Sequence, residues 1–252
     1  MELLWKSTVY SKLAERFDLG AYAYAHRGLW SDRGPTENSL DAFLMAADLG
    51  FGIEFDVRPA ADGVPIIFHD PQLDRMTHES GPVEQRAASD LLGLSLKGSG
   101  EIISLSALLD AWPAQTPLLC GMKIDGATNP PAFCARVAIL TAAHKGPAAM
   151  MSFSIEAVAS IPDSIMRGQL IAPTNGDPSA DLASTARVTV DYLACHTGDA
   201  ANPSLQTARA ATPLITWTVK DAEMCADLSK LTDSQIFEGF DPKLAKRHIL
   251  NR

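Results

Sequence analysis

Residues able to do chemistry crowd into one short stretch, IEFDVRPAADGVPIIFHD, from Ile53 to Asp70. Glu54 and Asp56 stand two apart inside an apolar run, so an extended strand points both to the same face. Carboxylates held close together repel one another, and hard divalent ions such as Mg²⁺ and Ca²⁺ take oxygen ligands. His69 ends the second apolar run of the stretch, and His26-Arg27 follows an earlier run at Tyr22–Ala25. Imidazole titrates near neutral pH, which suits two histidines to general acid and general base work. Arg27, and Lys123 after the run Leu118–Met122, carry the charge that a phosphate needs.

Each of these has a plainer reading. Glu54 and Asp56 can lie on a solvated outer face. His26 can be a satisfied histidine at a barrel rim, Arg27 a structural ion pair, and Lys123 the partner of Glu54. Asp62-Gly63 is by itself a turn. His78, His144, His196 and His248 fall in loop or helix text and read as surface residues. Trp217, in ITWTV, reads as core or as a pocket wall near a strand end.

The elements that must position these residues alternate. Expected strands are Tyr22–His26, Gly52–Val57, Leu118–Lys123, Ala148–Ser152, Met166–Ile171, Val188–Ala194, Leu214–Val219 and Ser234–Phe237, with a further short one at Ile66–His69. Between them, Leu40, Phe43, Leu44 and Ala47 mark one face of a helix that Gly50 ends. Further helices are expected over Pro131–Lys145, Ser154–Ile161, Pro178–Ala186, Pro203–Ala210, Asp221–Leu231 and Pro242–Ile249, with proline recurring near the first turn. Eight strands alternating with helices predict a (β/α)8 TIM barrel as one domain over residues 1–252, with chemistry at the C-terminal strand ends. A doubly wound sheet is the rival, but neither G-x-G-x-x-G nor G-x-x-x-x-G-K-[ST] occurs. Residues 71–106 read as a loop insertion around a helical piece, Ala87–Leu94, and residues 1–20 as an amphipathic helical extension.

Composition narrows the function classes. A hydrophobic content of 46% suits a globular core, and a net charge of −9 argues against broad nucleic-acid binding. No apolar run reaches the roughly 18 residues of a membrane span, and charges interleave the opening MELLWKSTVYSKLAERF, unlike a secretory signal. Cys120, Cys134, Cys195 and Cys225 form no C-x-x-C pair, so reduced thiols in a cytoplasmic protein are expected.

Taken together, AHRG, PTENSLDAF and GIEFDVRPAADGVPIIFHDPQLDRMT resemble the glycerophosphodiester phosphodiesterase family closely from about Ala25 to Thr77. Weaker echoes follow in order: PLLCGMKID, MSFS, MRG, TWTVKD and FDP. The resemblance implies a (β/α)8 barrel that hydrolyses small phosphodiesters with a divalent metal, Mg²⁺ or Ca²⁺. It makes His26 and His69 the acid/base pair, Arg27 the phosphate contact, and Glu54 and Asp56 metal ligands. Glu37 and Asn38 match a motif bordering the site. Lys123 matches the family's strand lysine and, with Trp217, is expected at the substrate. The family carries a third acidic ligand two residues before that lysine, where this chain has Gly121. Asp125 is then a candidate replacement, and the departure leaves open an impaired, binding-only chain. A lysophospholipid-like substrate is a further alternative.

Overall fold

The computed structural model describes residues 16–126, 128–173 and 177–250. The helical extension expected over residues 1–20 therefore falls mostly outside the described residues. The strands are β1 (Tyr24–His26), β2 (Gly52–Pro59), β3 (Pro65–Ile67), β4 (Leu118–Met122), β5 (Ala148–Ser152), β6 (Met166–Leu170), β7 (Tyr192–His196), β8 (Leu214–Val219) and β9 (Ser234–Phe237). All but β3 run parallel, each beside its successor, and β1 pairs with both β2 and β9. That closes an eight-stranded (β/α)8 barrel, as the alternation of elements implies.

Strand periodicity explains which residues enter the barrel. On β2, Ile53, Phe55 and Val57 face outward into the layer between strands and helices. Glu54 and Asp56 therefore face inward, 5% and 1% exposed. The interior beneath them is filled by Tyr24, Leu119, Met151, Met166, Tyr192, Ile215 and Ile236. The outer layer packs α1 (Leu40–Asp48) through Phe43 and Ala46. Its N-cap is Ser39, whose hydroxyl accepts from the Ala42 amide.

In residues 71–106 the expected helical piece Ala87–Leu94 shortens to α2 (Ala88–Leu91), because Leu92 leaves helical geometry. The segment has a small core of its own, in which Leu73, Val83, Leu91 and Ile102 close over Ile66 and Phe68. It contacts the barrel through β3, which pairs antiparallel with the upper half of β2. The turn between them needs Gly63, at φ +77°.

Two elements differ most from the sequence reading. α3 (Leu105–Ala111) was not expected; Ser104 caps it by accepting from the Ala107 amide. β7 starts at Tyr192, four residues after the expected Val188. The Val188 amide instead bonds the Thr185 carbonyl at the end of the preceding helix, and Asp191 Oδ2 receives the Arg167 amide. α4 (Pro130–Ala143), α5 (Ile155–Ala159), α6 (Ser179–Thr185), α7 (Pro203–Arg209), α8 (Ala222–Leu228) and α9 (Pro242–Leu250) lie within about two residues of expectation, apart from shorter ends on α5 and α8. Among the described residues no helix is long and apolar enough to cross a membrane, and the four cysteines are buried.

Candidate active site

The C-terminal strand ends bring the polar residues to one mouth. His26 ends β1, Glu54 and Asp56 lie in β2, Lys123 follows β4, and His69 lies just past β3. Parallel register sets His26 beside Glu54, and Asp56 beside Gly121.

Asp56 is the hub of charge. Lys123 Nζ lies 2.9 Å from its Oδ1; Arg27 Nε lies 3.2 Å from Oδ2, which also accepts from Asn38 Nδ2 at 3.2 Å. Burial alone would raise the Asp56 carboxyl, but Lys123 and Arg27 outweigh it and hold it far below the ordinary range. Glu54 is treated oppositely: burial, then the Asp56 charge, pushes it up to about 7. Its Oε2 is buried without a hydrogen-bond partner. A Cβ on Gly121 would stand 2.9 Å from Glu54 Oε1 and 3.5 Å from Asp56 Oδ1, so position 121 faces both carboxylates. An unsatisfied carboxylate oxygen and a second carboxylate on the same face fit a hard divalent cation.

Among the described residues, Arg27 and Asn38 are the non-glycine residues with left-handed backbones, at φ 57° and 56°. Such conformations are uncommon and gather at functional sites. Hydrogen bonds fix both: the Arg27 amide donates to the Glu54 carbonyl at 2.7 Å, and the Asn38 amide to the Arg27 carbonyl at 2.9 Å. Arg27 Nη1 lies 2.8 Å from Glu37 Oε1. Burial alone would lower the Arg27 guanidinium; Asp56, Glu37 and Glu54 outweigh it and raise it.

Both histidines are gripped at Nδ1 by a carboxylate. His26 Nδ1 lies 2.6 Å from Glu238 Oε2, and His69 Nδ1 lies 2.7 Å from Asp70 Oδ1. His26 Nε2 then stands 3.8 Å from Glu54 Oε2. Each carboxylate has a cation behind it: Lys220 Nζ is 3.3 Å from Glu238 Oε1, and Arg75 Nε is 2.5 Å from Asp70 Oδ2. Burial alone would raise both carboxyls. The His26 bond lowers Glu238, while the Arg75 and His69 bonds bring Asp70 down to about 2. His69 itself is lowered by burial first, then by Lys123 and Arg27, against the opposite pull of Asp56.

One expected site residue sits differently. Asp125, the candidate replacement ligand, is half-exposed and paired with Arg58, Oδ2 to Nη1 at 2.6 Å. β4 ends at Met122, so strand parity does not carry as far as Asp125. Trp217 donates Nε1–H to the Ala194 carbonyl, its ring edge-on to Phe153 and His196 at the mouth. Glu238, Asp70 and Arg75 were not singled out from sequence. The usable signal for Glu238 was a charged residue directly after a strand, the same signal that marks His26.

Comparison with known proteins places this geometry among relatives. Residues 26–154 match the model of the Glycerophosphoryl diester phosphodiesterase family. "Probable glycerophosphodiester phosphodiesterase 2" of Mycobacterium tuberculosis is 43% identical over 95 residues, covering 37% of this chain and 36% of that protein. "Glycerophosphodiester phosphodiesterase 1" of Rattus norvegicus is 43% identical over 60 residues, covering 23% of this chain and 18% of that protein. The match thus spans about a third of the first relative's length and less than a fifth of the second's. Among solved structures, an Oleispira antarctica phosphodiesterase in complex with the product sn-glycerol-3-phosphate aligns at TM-score 0.78 and 22% identity, covering 92% of this chain and 97% of that one. A Thermotoga maritima glycerophosphodiester phosphodiesterase aligns at 0.69 and 19%, covering 86% and 94%. At those identities the structural likeness speaks for the fold.

Proposed function

This chain belongs to the Glycerophosphoryl diester phosphodiesterase family, and on that premise we propose that it hydrolyses glycerophosphodiesters to sn-glycerol 3-phosphate and an alcohol. The observation that carries the proposal is the grouping of two carboxylate-held histidines, His26 and His69, with two cations, Arg27 and Lys123, and the carboxylates Glu54 and Asp56 at one barrel mouth.

Each group has a task in phosphodiester cleavage. Negative charge grows on the phosphate in the transition state, and preorganised cations stabilise it most where water is excluded. Arg27, 13% exposed and held between Glu37 and Asp56, is already aimed and loses little freedom on binding. Lys123, just past β4, adds a second charge. One imidazole removes a proton from the attacking oxygen, which belongs to water or to the substrate's own glycerol hydroxyl. The other returns a proton to the leaving alcohol oxygen. Glu238 and Asp70 hold the rings at Nδ1, so Nε2 is the nitrogen left for these transfers.

Glu54 and Asp56 would hold a divalent cation, Mg²⁺ or Ca²⁺, which when bound supplies further positive charge beside the phosphate. Glu54 is the freer ligand of the two, since Lys123, Arg27 and Asn38 already engage Asp56.

The test is a metal-screened assay on glycerophosphocholine, glycerophosphoethanolamine and bis(p-nitrophenyl) phosphate. Release of sn-glycerol 3-phosphate from a natural diester, lost in His26→Ala, is the expected result. Equal product from wild type and His26→Ala, or none from any diester with any divalent ion, would overturn the proposal.

A further inference from the structure

We infer that Glu238 is a positioning residue: it fixes the tautomer of His26 and so turns that ring's bare nitrogen toward the carboxylate centre. Glu238 follows β9 directly, 212 residues from His26 in the chain but on the strand that seals the barrel beside β1. Its Oε2 lies 2.6 Å from His26 Nδ1. Both side chains are partly buried, at 14% and 13% exposure.

The argument is one of donors and acceptors. A neutral imidazole has one N–H and one lone pair, on different nitrogens. A carboxylate only accepts, so a contact of this length puts the hydrogen on Nδ1 and leaves Nε2 bare. Nε2 then stands 3.8 Å from Glu54 Oε2, at the site. Without Glu238 the carboxylate left beside the ring would be Glu54, on the Nε2 side, which favours the other tautomer, and the ring could also flip.

The carboxylate is itself held. Lys220, following β8, reaches Glu238 Oε1 at 3.3 Å, so both oxygens have partners and the side chain is fixed on two sides. The His26 main chain is pinned separately, its carbonyl accepting from Trp30 Nε1 at 3.1 Å. Glu238 is therefore left to set the ring, not the backbone. His69 has the same arrangement from its own neighbour, Asp70. For His26 the partner arrives from the far side of the barrel seam.

The consequence for rate rests on the hydrolase reading; the tautomer does not. The test therefore has two independent readouts on the full chain. The first is the pair of imidazole nitrogen shifts of His26 in protein labelled with ¹⁵N-histidine, assigned by the signals lost in His26→Gln. Wild type should show Nδ1 protonated. Glu238→Gln, whose amide oxygen still accepts, should keep that pattern, and Glu238→Ala should move the proton toward Nε2. The second readout is turnover of glycerophosphocholine. Glu238→Ala should lower kcat by about 10- to 100-fold with KM within about twofold, the range for lost support of a functional ligand or base, and Glu238→Gln should recover much of it.

A folded Glu238→Ala protein whose His26 keeps the Nδ1 proton overturns the inference. So does one with wild-type kcat. Should Glu238→Ala fail to fold, Glu238→Leu, of similar bulk and without an acceptor, carries the same expectation. If no variant and no wild type turns over any diester, the hydrolase reading fails while the nitrogen shifts still decide the role of Glu238.

Discussion

Gly121 faces Glu54 across the β2–β4 pair, with 2.9 Å between a Cβ built on Gly121 and Glu54 Oε1. The atom in the way is the end of a flexible side chain, and Gly121 has no left-handed φ, so the backbone admits a side chain there. We expect Gly121→Glu to fold and to bind Mg²⁺ and Ca²⁺ about tenfold tighter or better, because a third carboxylate adds ligand charge. Without metal the added repulsion should lower the melting temperature, and metal should raise it more than in wild type. Calorimetric titration and melting curves check this. A well-folded variant with wild-type affinity for both ions would refute it.

His26→Ala and His69→Ala should each lower turnover by about 10²-fold or more, the scale of lost acid–base catalysis. Both side chains are at the mouth, outside the packed layers, so the melting temperature should stay close to wild type. A histidine whose removal leaves kcat intact is excluded from the chemistry.

Asn38 combines a left-handed backbone with a bond to Asp56, and the two can be separated. Asn38→Gly relieves the backbone but loses the bond. Asn38→Ala loses the bond and keeps the strain, which costs an L-residue roughly 1–2 kcal/mol. Urea denaturation should therefore rank wild type above Asn38→Gly, and Asn38→Gly above Asn38→Ala by about 1 kcal/mol. Equal stability of the two variants would show that the φ of 56° imposes no cost.

Arg75 clamps two acids, with Nη2 2.6 Å from Glu37 Oε1 and 2.9 Å from Asp70 Oδ1. Asp70 lies at about 2 when folded, below the ordinary aspartate value of about 4, so its stabilising contribution is present above pH about 4 and is lost as pH falls toward 2. Arg75→Ala should lower stability at pH 7 by about 1 kcal/mol, since the arginine is half-exposed, and should flatten the acid-side decline. Denaturation midpoints measured from pH 7 downward check both; parallel curves for the two proteins would contradict the prediction.

The sequence made the barrel legible because its signals are local. Parity along β2 placed Glu54 and Asp56 on one face, and proline or serine near helix starts marked α4 and α7. Charged residues after apolar runs placed His26, His69 and Lys123 at one mouth. What escaped depended on contacts between distant segments. Asp125 shares parity with Lys123 on paper, but the strand stops short and Arg58 draws the carboxylate aside. The run from Val188 looks extended, yet its first amide belongs to the helix before it. α3 hid beside the insertion although Ser104 was a readable cap. Glu238 stands at a strand end like the others, but only closure of the ring shows that its partner is His26.

That closure has a temporal side. β1 needs β2 on one flank and β9 on the other, and β9 lies some two hundred residues further along. While the chain leaves the ribosome, β1 and β2 can meet early, but one edge of β1 stays bare until the last strand arrives. His26 lacks its Glu238 partner over the same interval. The step that removes the sticky edge is therefore also the step that brings Glu238 to His26. Such a long-range contact forms slowly, so a nascent or truncated barrel keeps a bare strand edge, and His26 without Glu238, during the period when it is most prone to aggregate.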